Sequence, residues 1–203
     1  MRVEIGAGEK PHPNYEIHVD VLPLPDIEVR AGVERLPFAT GSVTALRANH
    51  VLEHQSYELI GETLREWARV LVPGGRLDIG VPDCRFVAEQ WVRGEIDTAE
   101  ANYWILGGHS DRAAHRGVDS RGVPLWIWNA HHTMFDAGSL RAAVEEFFDV
   151  EELFTYDIRN LRLYGRARPA ATAPSTGTPG CARDAGSPAP RAAPPPRRSD
   201  PRP

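Results

Sequence analysis

The sequence predicts an α/β fold: a mostly parallel sheet of seven strands or nearly so, helices on both faces, and an antiparallel edge strand. Three observations carry that reading. Short apolar runs alternate with stretches of helical periodicity, the pattern of a parallel sheet covered by crossover helices. A glycine turn, Gly6-Ala7-Gly8, follows the first apolar run, and an acid, Asp20, closes the second. Two strand-like runs joined by a short turn end the patterned region, and such a pair is antiparallel.

The elements follow in order. Residues 2–5 alternate and then meet Gly6, which makes a short buried strand. Residues 15–21 read as a second strand, 27–30 as a third and 43–48 as a fourth. Only 12 residues separate Gly8 from Asp20, and Pro11 and Pro13 stand among them, so little helix is expected there. Between residues 56 and 72 the apolar side chains Ile60, Leu64, Trp67 and Leu71 recur at helical spacing, and Pro73-Gly74-Gly75 is the expected stop. Residues 76–81 form a fifth strand ended by Pro82-Asp83. Helices are expected over 83–93 and 97–106, a glycine- and histidine-rich loop over 107–132, and a helix over 137–147. Strands over 150–156 and 160–164 close the pattern. Trp91, Trp104, Phe147, Phe148, Leu153 and Phe154 read as packing residues.

A domain is therefore expected over residues 1–165, with a disordered tail rich in Pro, Ala and Arg over 166–203. The tail has almost no large apolar side chain with which to offset its ordering entropy. It holds seven arginines against Asp184 and Asp200, a balance of +5 within a chain of net charge −5. The body is left at −10, a poor surface for a phosphate backbone, which argues against a nucleic-acid acceptor. No run of apolar residues is long enough to span a membrane. Residues 1–4 lead straight into a strand, so no signal peptide is expected. Cys84 and Cys181 are far apart without CxxC spacing and read as free thiols, consistent with a cytoplasmic location.

Four ordered segments then narrow the class. The first runs from Val3 through Gly6-Ala7-Gly8, Pro11 and Asn14 to Asp20, close to GxGxxPxxGxxxxD. The second, Leu36-Pro37-Phe38 with Ser42-Val43, leads into the fourth strand, and the third is His50-Val51-Leu52-Glu53-His54. The fourth, from Leu64 to Asp83, follows LxExxRVLxPGGxLxIxxPD. Together they resemble the class I S-adenosylmethionine-dependent methyltransferases, in the type 11 branch with a shortened first loop. The resemblance implies a Rossmann-like methyltransferase fold, S-adenosyl-L-methionine as cofactor, and contacts to it from Glu4, Gly6, Ala7, Gly8, Asp20, Val33, Glu34, Asn49 and His50. In such relatives Glu4 would sit beside the methionine amino group and Asp20 would accept from both ribose hydroxyls, a task suited to an acceptor-only carboxylate. Where relatives carry an Asp toward the adenine amino group this chain has Gly32, which leaves adenine to groups near Val33.

Methyl transfer asks the protein to hold an acceptor atom behind the methyl carbon and, for an alcohol or ammonium, to remove a proton. Histidine suits that proton transfer near neutral pH. His131 and His132 are the first candidates, with His54 and His109 beside them, and each is also a candidate for a purely structural hydrogen bond. No HxxxH or HExxH pair occurs and His131-His132 are adjacent, so no metal site is expected. Trp126 and Trp128 are read as packing residues. Gly107-Gly108-His109 with His132, Phe135 and Leu140 matches an ending found in relatives of surface-polysaccharide and natural-product pathways. The acceptor expected on that analogy is a small molecule or glycan, methylated at oxygen or nitrogen. A non-catalytic cofactor-binding module is the alternative, favoured by Gly32 and the short first crossover. A nicotinamide-dependent dehydrogenase is a third reading, opposed by the missing third glycine, the Pro-Gly-Gly segment and the closing strand pair.

Overall fold

A computed structural model describes residues 1–107 and 124–169. They belong to one compact unit, Met1–Ala170. The segment expected to be a disordered tail lies, but for its first four residues, outside the described part. Seven strands form one sheet in the order β3-β2-β1-β4-β5-β7-β6. They are β1 (Arg2–Ile5), β2 (Ile17–Asp20), β3 (Val29–Arg30), β4 (Val43–Asn49), β5 (Leu71–Pro82), β6 (Phe148–Asp157) and β7 (Asn160–Ala167). The pairs among β1 to β5 are parallel, and β7 runs antiparallel to both β5 and β6. The central strands alternate: Val3, Ile5, Leu46, Ala48, Ile79 and Val81 are wholly buried on one face, while Glu4, Arg47 and Asp78 stand side by side on the other.

The connections up to β4 contain no helix, in line with the prolines near residue 12 for the first of them. Helix α1 (Ile60–Val70) is the first crossover helix and buries Ile60, Leu64 and Trp67 on one face. It ends sooner than expected. Leu71 is already extended and opens β5, so Pro73-Gly74-Gly75 lies inside the strand and not at the helix stop. Proline disfavours helical geometry at the residue before it, which explains the early end. The register then slips, with Val43 opposite Leu71 but Ala45 opposite Arg76, and Gly74 takes a left-handed φ of 74° in the bulge. Helix α2 (Cys84–Val92) is capped by Asp83, α3 (Thr98–Leu106) by Asp97, and α4 (Ala137–Glu145) by an Asp136–Ser139 capping box.

Two aromatic side chains expected in the core stand outside it. Trp91 is 47% exposed, because the α2–α3 pair buries only a small cluster of Val87, Ile96 and Ala101. Phe154 is likewise exposed on the edge strand β6. In addition, β7 continues through Arg166 and Ala167, two residues past the expected boundary. Arg166 pairs with Glu151 at 2.8 Å, and Ala167 is buried opposite Phe148.

Two polar assemblies tie these elements together. Across β1, β4, β5 and β7 runs a charged seam: Arg47 donates to Glu4 at 2.9 Å, and Arg162 donates to Asp78 at 2.6 Å and to Asn49 at 2.7 Å. Gly80 leaves room for it, since a Cβ there would overlap Asn49 Oδ1. On α1, Glu66 accepts from Leu36 N–H and from Arg69, while Arg69 donates to the carbonyls of Leu36 and Phe38. The Trp67 indole N–H donates to Val33 O at 2.9 Å, so one face of α1 holds the 33–38 segment in place.

Removing Asp78 takes the carboxylate from the largely buried Arg162, which keeps the neutral Asn49, while Arg47 keeps Glu4. The Asp78→Ala chain is expected to lose about 3 kcal/mol of unfolding free energy in a denaturant titration, and an unchanged midpoint would refute a structural role for the seam. The hydrogen bond from Arg69 first, and that from Leu36 N–H with it, holds the Glu66 carboxyl below its ordinary range against the opposing effect of burial. A depressed folded pKa gives stability that is present above the unfolded value and lost as pH falls through the folded one. The Glu66→Gln chain should therefore lose less stability than wild type between about pH 6 and about pH 3, measured by thermal unfolding.

Candidate functional site

A cavity of about 570 Å³ opens at the carboxyl ends of the first four strands, where ligands of open α/β sheets bind. Its floor is made by the turn after β1. Gly6 and Gly8 adopt φ of 60° and 63°, the left-handed region that favours glycine. At Gly6 a Cβ would also overlap Val51 Cγ2, whereas at Gly8 it would meet open space. Asp20 ends β2 with its side chain almost buried. Its Oδ2 accepts from Gly8 N–H at 2.9 Å and its Oδ1 from Leu22 N–H at 2.8 Å. Each carboxylate oxygen keeps a second lone pair for an outside donor. The site thus offers a fixed acceptor pair beside a glycine turn, a fit to a ribose diol.

Gly6, Gly8, Asp20, Val33, Glu34 and His50 all border this one cavity. Three other expected contacts do not. The Glu4 carboxylate is occupied by His12 N–H at 2.6 Å and Arg47 at 2.9 Å. Ala7 N–H donates to Val19 O, and Asn49 Oδ1 is held by Arg162. The sheet and the charged seam have claimed these groups. At the other end, the Glu34 carboxylate lies over Gly32, in the space a Cβ at position 32 would need. An acid therefore stands near the place where Gly32 seemed to leave none.

The histidines gather on the opposite wall. His50 is the one non-glycine with positive φ among the described residues, at 56°, a conformation costing on the order of 1 kcal/mol. Its N–H is tied to Gly80 O, and its ring Nδ1 lies 3.0 Å from Glu53 Oε1. Since a carboxylate only accepts, Nδ1 carries the proton. Glu53 is wholly buried, and its carboxyl is nevertheless held below the ordinary range: desolvation opposes ionisation, and the histidines at 50, 54 and 131 outweigh it. The Glu53 main-chain carbonyl accepts from both His132 and Thr133 N–H, which fastens the loop after α3 to the loop after β4.

His54 and His132 border the cavity, and so does Trp128, 38% exposed, where packing was expected. His131 does not. Its ring lies edge-on to His54 at 4.9 Å, with Nδ1 on Trp104 O, and burial pushes its pKa down. His109 and the side chain of Trp126 lie outside what the structure describes. Sequence reasoning gives Glu53 no role of its own. Its place inside the motif of residues 50–54 is visible in the sequence, but its burial is not.

Residues 13–79 match a family described as a methyltransferase domain, the type 11 model. A 37.1 kDa protein in transposon TN4556 of Streptomyces fradiae is 43% identical over 61 residues, 30% of this chain and 17% of that relative's length. Among solved structures, the PH0226 protein of Pyrococcus horikoshii OT3 superposes with a TM-score of 0.56 at 13% identity, over 83% of each chain. A Burkholderia thailandensis 1,6-didemethyltoxoflavin-N1-methyltransferase, solved with 1,6-didemethyltoxoflavin and S-adenosylhomocysteine bound, gives 0.52 at 16% identity over 82% of this chain and 70% of that one. An S-adenosylmethionine-dependent methyltransferase of Methanosarcina mazei gives 0.52 at 11%, over 82% and 91%.

The sheet order and the cleft define the class I methyltransferase fold. Within that class, residues 13–79, a third of the chain, are similar to the type 11 methyltransferase domain.

The two turn glycines separate strain from overlap. Gly8→Ala should cost about 1–2 kcal/mol, the penalty of a left-handed L-residue. Gly6→Ala should cost clearly more, because Val51 must move as well. Paired thermal unfolding curves check this, and equal losses would refute the steric role of Gly6.

Proposed function

We propose that this chain transfers a methyl group from S-adenosylmethionine to an oxygen or nitrogen of a small-molecule or glycan-type acceptor, in the cytoplasm. The observation that supports this most directly is the convergence of the Gly6–Gly8 turn, Asp20, Glu34 and three histidines on one cavity. Asp20 accepts from the ribose hydroxyls, and Gly6 and Gly8 let the main chain come close to the cofactor. Glu34, over Gly32, takes the adenine amino group in place of the Asp that relatives carry. Bound S-adenosylmethionine supplies an electrophilic methyl carbon with a neutral thioether as leaving group. The protein then has to place the acceptor atom, keep water away and accept its proton. His132 stands in the wall with its main chain fixed on Glu53, and it takes that proton. Trp128 offers a ring face to an acceptor in the same wall.

The described residues include no helix long and apolar enough to cross a membrane. A purely cofactor-binding role loses much of its support once Glu34 occupies the space over Gly32.

Calorimetric titration with S-adenosylmethionine tests the assignment. Asp20→Ala is expected to weaken binding at least tenfold, about 1.4 kcal/mol. Glu34→Ala should weaken it less, and should weaken binding of adenosine more than that of inosine, which lacks the amino group. Wild-type affinity in Asp20→Ala would sink the ribose role. Failure of the folded wild-type chain to bind would sink the proposal.

A further inference from the structure

Three side chains meet behind the histidine wall although no sequence spacing links them as a set. One ligand-capable atom each from Glu53, His54 and His131 lies within 4.8 Å of the others. Glu53 is wholly buried, and its second oxygen, Oε2, has no hydrogen-bond partner. An orphaned carboxylate oxygen in the interior is costly and calls for a counterpart. His50 satisfies only Oε1.

Both imidazoles are free to present a lone pair. His54 Nδ1 lies 3.1 Å from Ala130 O, and His131 Nδ1 lies 3.1 Å from Trp104 O. A carbonyl only accepts, so each ring spends its N–H at Nδ1 and keeps the lone pair at Nε2. A backbone carbonyl on the far nitrogen is the usual second contact of a metal-bound histidine. The backbone is braced as well: His131 N–H donates to Leu106 O, and Ala130 bridges Gly107.

We infer that Glu53, His54 and His131 form a binding site for a divalent transition ion of the zinc or iron(II) type. Two imidazoles and a carboxylate are the donor set of open, three-ligand sites that leave a position for water or substrate. Bonds of about 2.1 Å put tetrahedral ligands about 3.4 Å apart, so the side chains draw in by roughly 1 Å on binding. That adjustment is within the reach of rotamers on two loops. His54 borders the cofactor cavity, which brings the cluster next to it. This last point rests on the methyltransferase reading: an acceptor hydroxyl on the ion would be acidified, with His132 beside it to take the proton.

The test is calorimetric titration of the full chain with zinc(II) alone, compared with Glu53→Gln, His54→Ala, His131→Ala and, as a control, His12→Ala. Glu53→Gln preserves side-chain volume, and circular dichroism checks the fold of each variant. One equivalent should bind to wild type and to His12→Ala, and at least tenfold more weakly to each of the three ligand variants. Cobalt(II) in place of zinc should give the visible absorption of a four- or five-coordinate ion in wild type and lose it in Glu53→Gln. Equal zinc affinity in folded wild type and Glu53→Gln would overturn the assignment, as would no binding to wild type. S-adenosylmethionine binding is measured separately on metal-free protein. A failure there refutes the cofactor reading and leaves the zinc result standing.

Discussion

Much of the site depends on one buried acid. Glu53 sits on the tight turn after β4 (Leu52–His54) with its carboxylate sealed from water and its carbonyl facing a segment almost eighty residues further on. Burial alone would drive such a group neutral. Here the His50 ring donates to it, and the carboxyl is held below its ordinary range against that burial. The arrangement is self-consistent only if all partners are present. Breaking a buried charged cluster from one side leaves an uncompensated charge, which costs more than the intact cluster contributes. That explains why His50 holds a strained left-handed backbone: Gly80 O and Glu53 together outweigh the strain.

The same logic of occupied acceptors decides which carboxylates stay open to the cavity. Glu4 and Asp20 both lie near the ends of neighbouring strands, Glu4 one residue short of the end of β1 and Asp20 closing β2. The structure separates them by what they already hold. Glu4 is neutralised by Arg47 within the seam of β1, β4, β5 and β7 and faces away from the cavity. Asp20 is held by two main-chain N–H groups that orient it without neutralising it, and its charge remains available at the cleft. Orientation by neutral donors and pairing with a cation are different fates for a carboxylate, and only the first leaves a binding group.

The strands and helices are legible in the sequence because periodicity and proline act locally. The first strand and the fourth stand within a residue of their expected bounds, and the helix-free first crossover follows from Pro11 and Pro13. The end of α1 departs from its expected place because two local signals compete at residues 71–75. Helical spacing reaches Leu71, but Pro73 already constrains Val72, and pairing with β4 captures the freed chain. Trp91 departs for a different reason: short helices that pack mainly on each other offer too little buried face for every large side chain. In the site, the glycine turn and Asp20 are legible from order along the chain. The placement of Glu34 over Gly32 is not, since it depends on how a side chain folds back over its neighbour. Nor is the Glu53–His54–His131 cluster, because spacing rules detect ligands on one helix or loop and His131 arrives from a distant one.

The sparse helix content of the first half has a consequence for the cavity. With no helix connecting β1, β2 and β3, the walls on that side are loops, and loops hold a shape only if something ties them. Here α1 supplies the ties for one wall through Trp67, Glu66 and Arg69, and Glu53 supplies them for the other through His132 and Thr133. Both anchors include polar groups donating to or accepting from main chain, beside the apolar packing of Val33 and Leu36 in one cluster with Trp67 and Leu64. Main-chain bonds fix where a loop runs while leaving its side chains free to face a ligand. The cofactor-side wall and the histidine wall are therefore held by independent anchors, one on a helix and one on a buried acid. That independence allows the histidine side to change without disturbing the Gly6–Gly8 turn, Asp20 and Glu34 across the cleft.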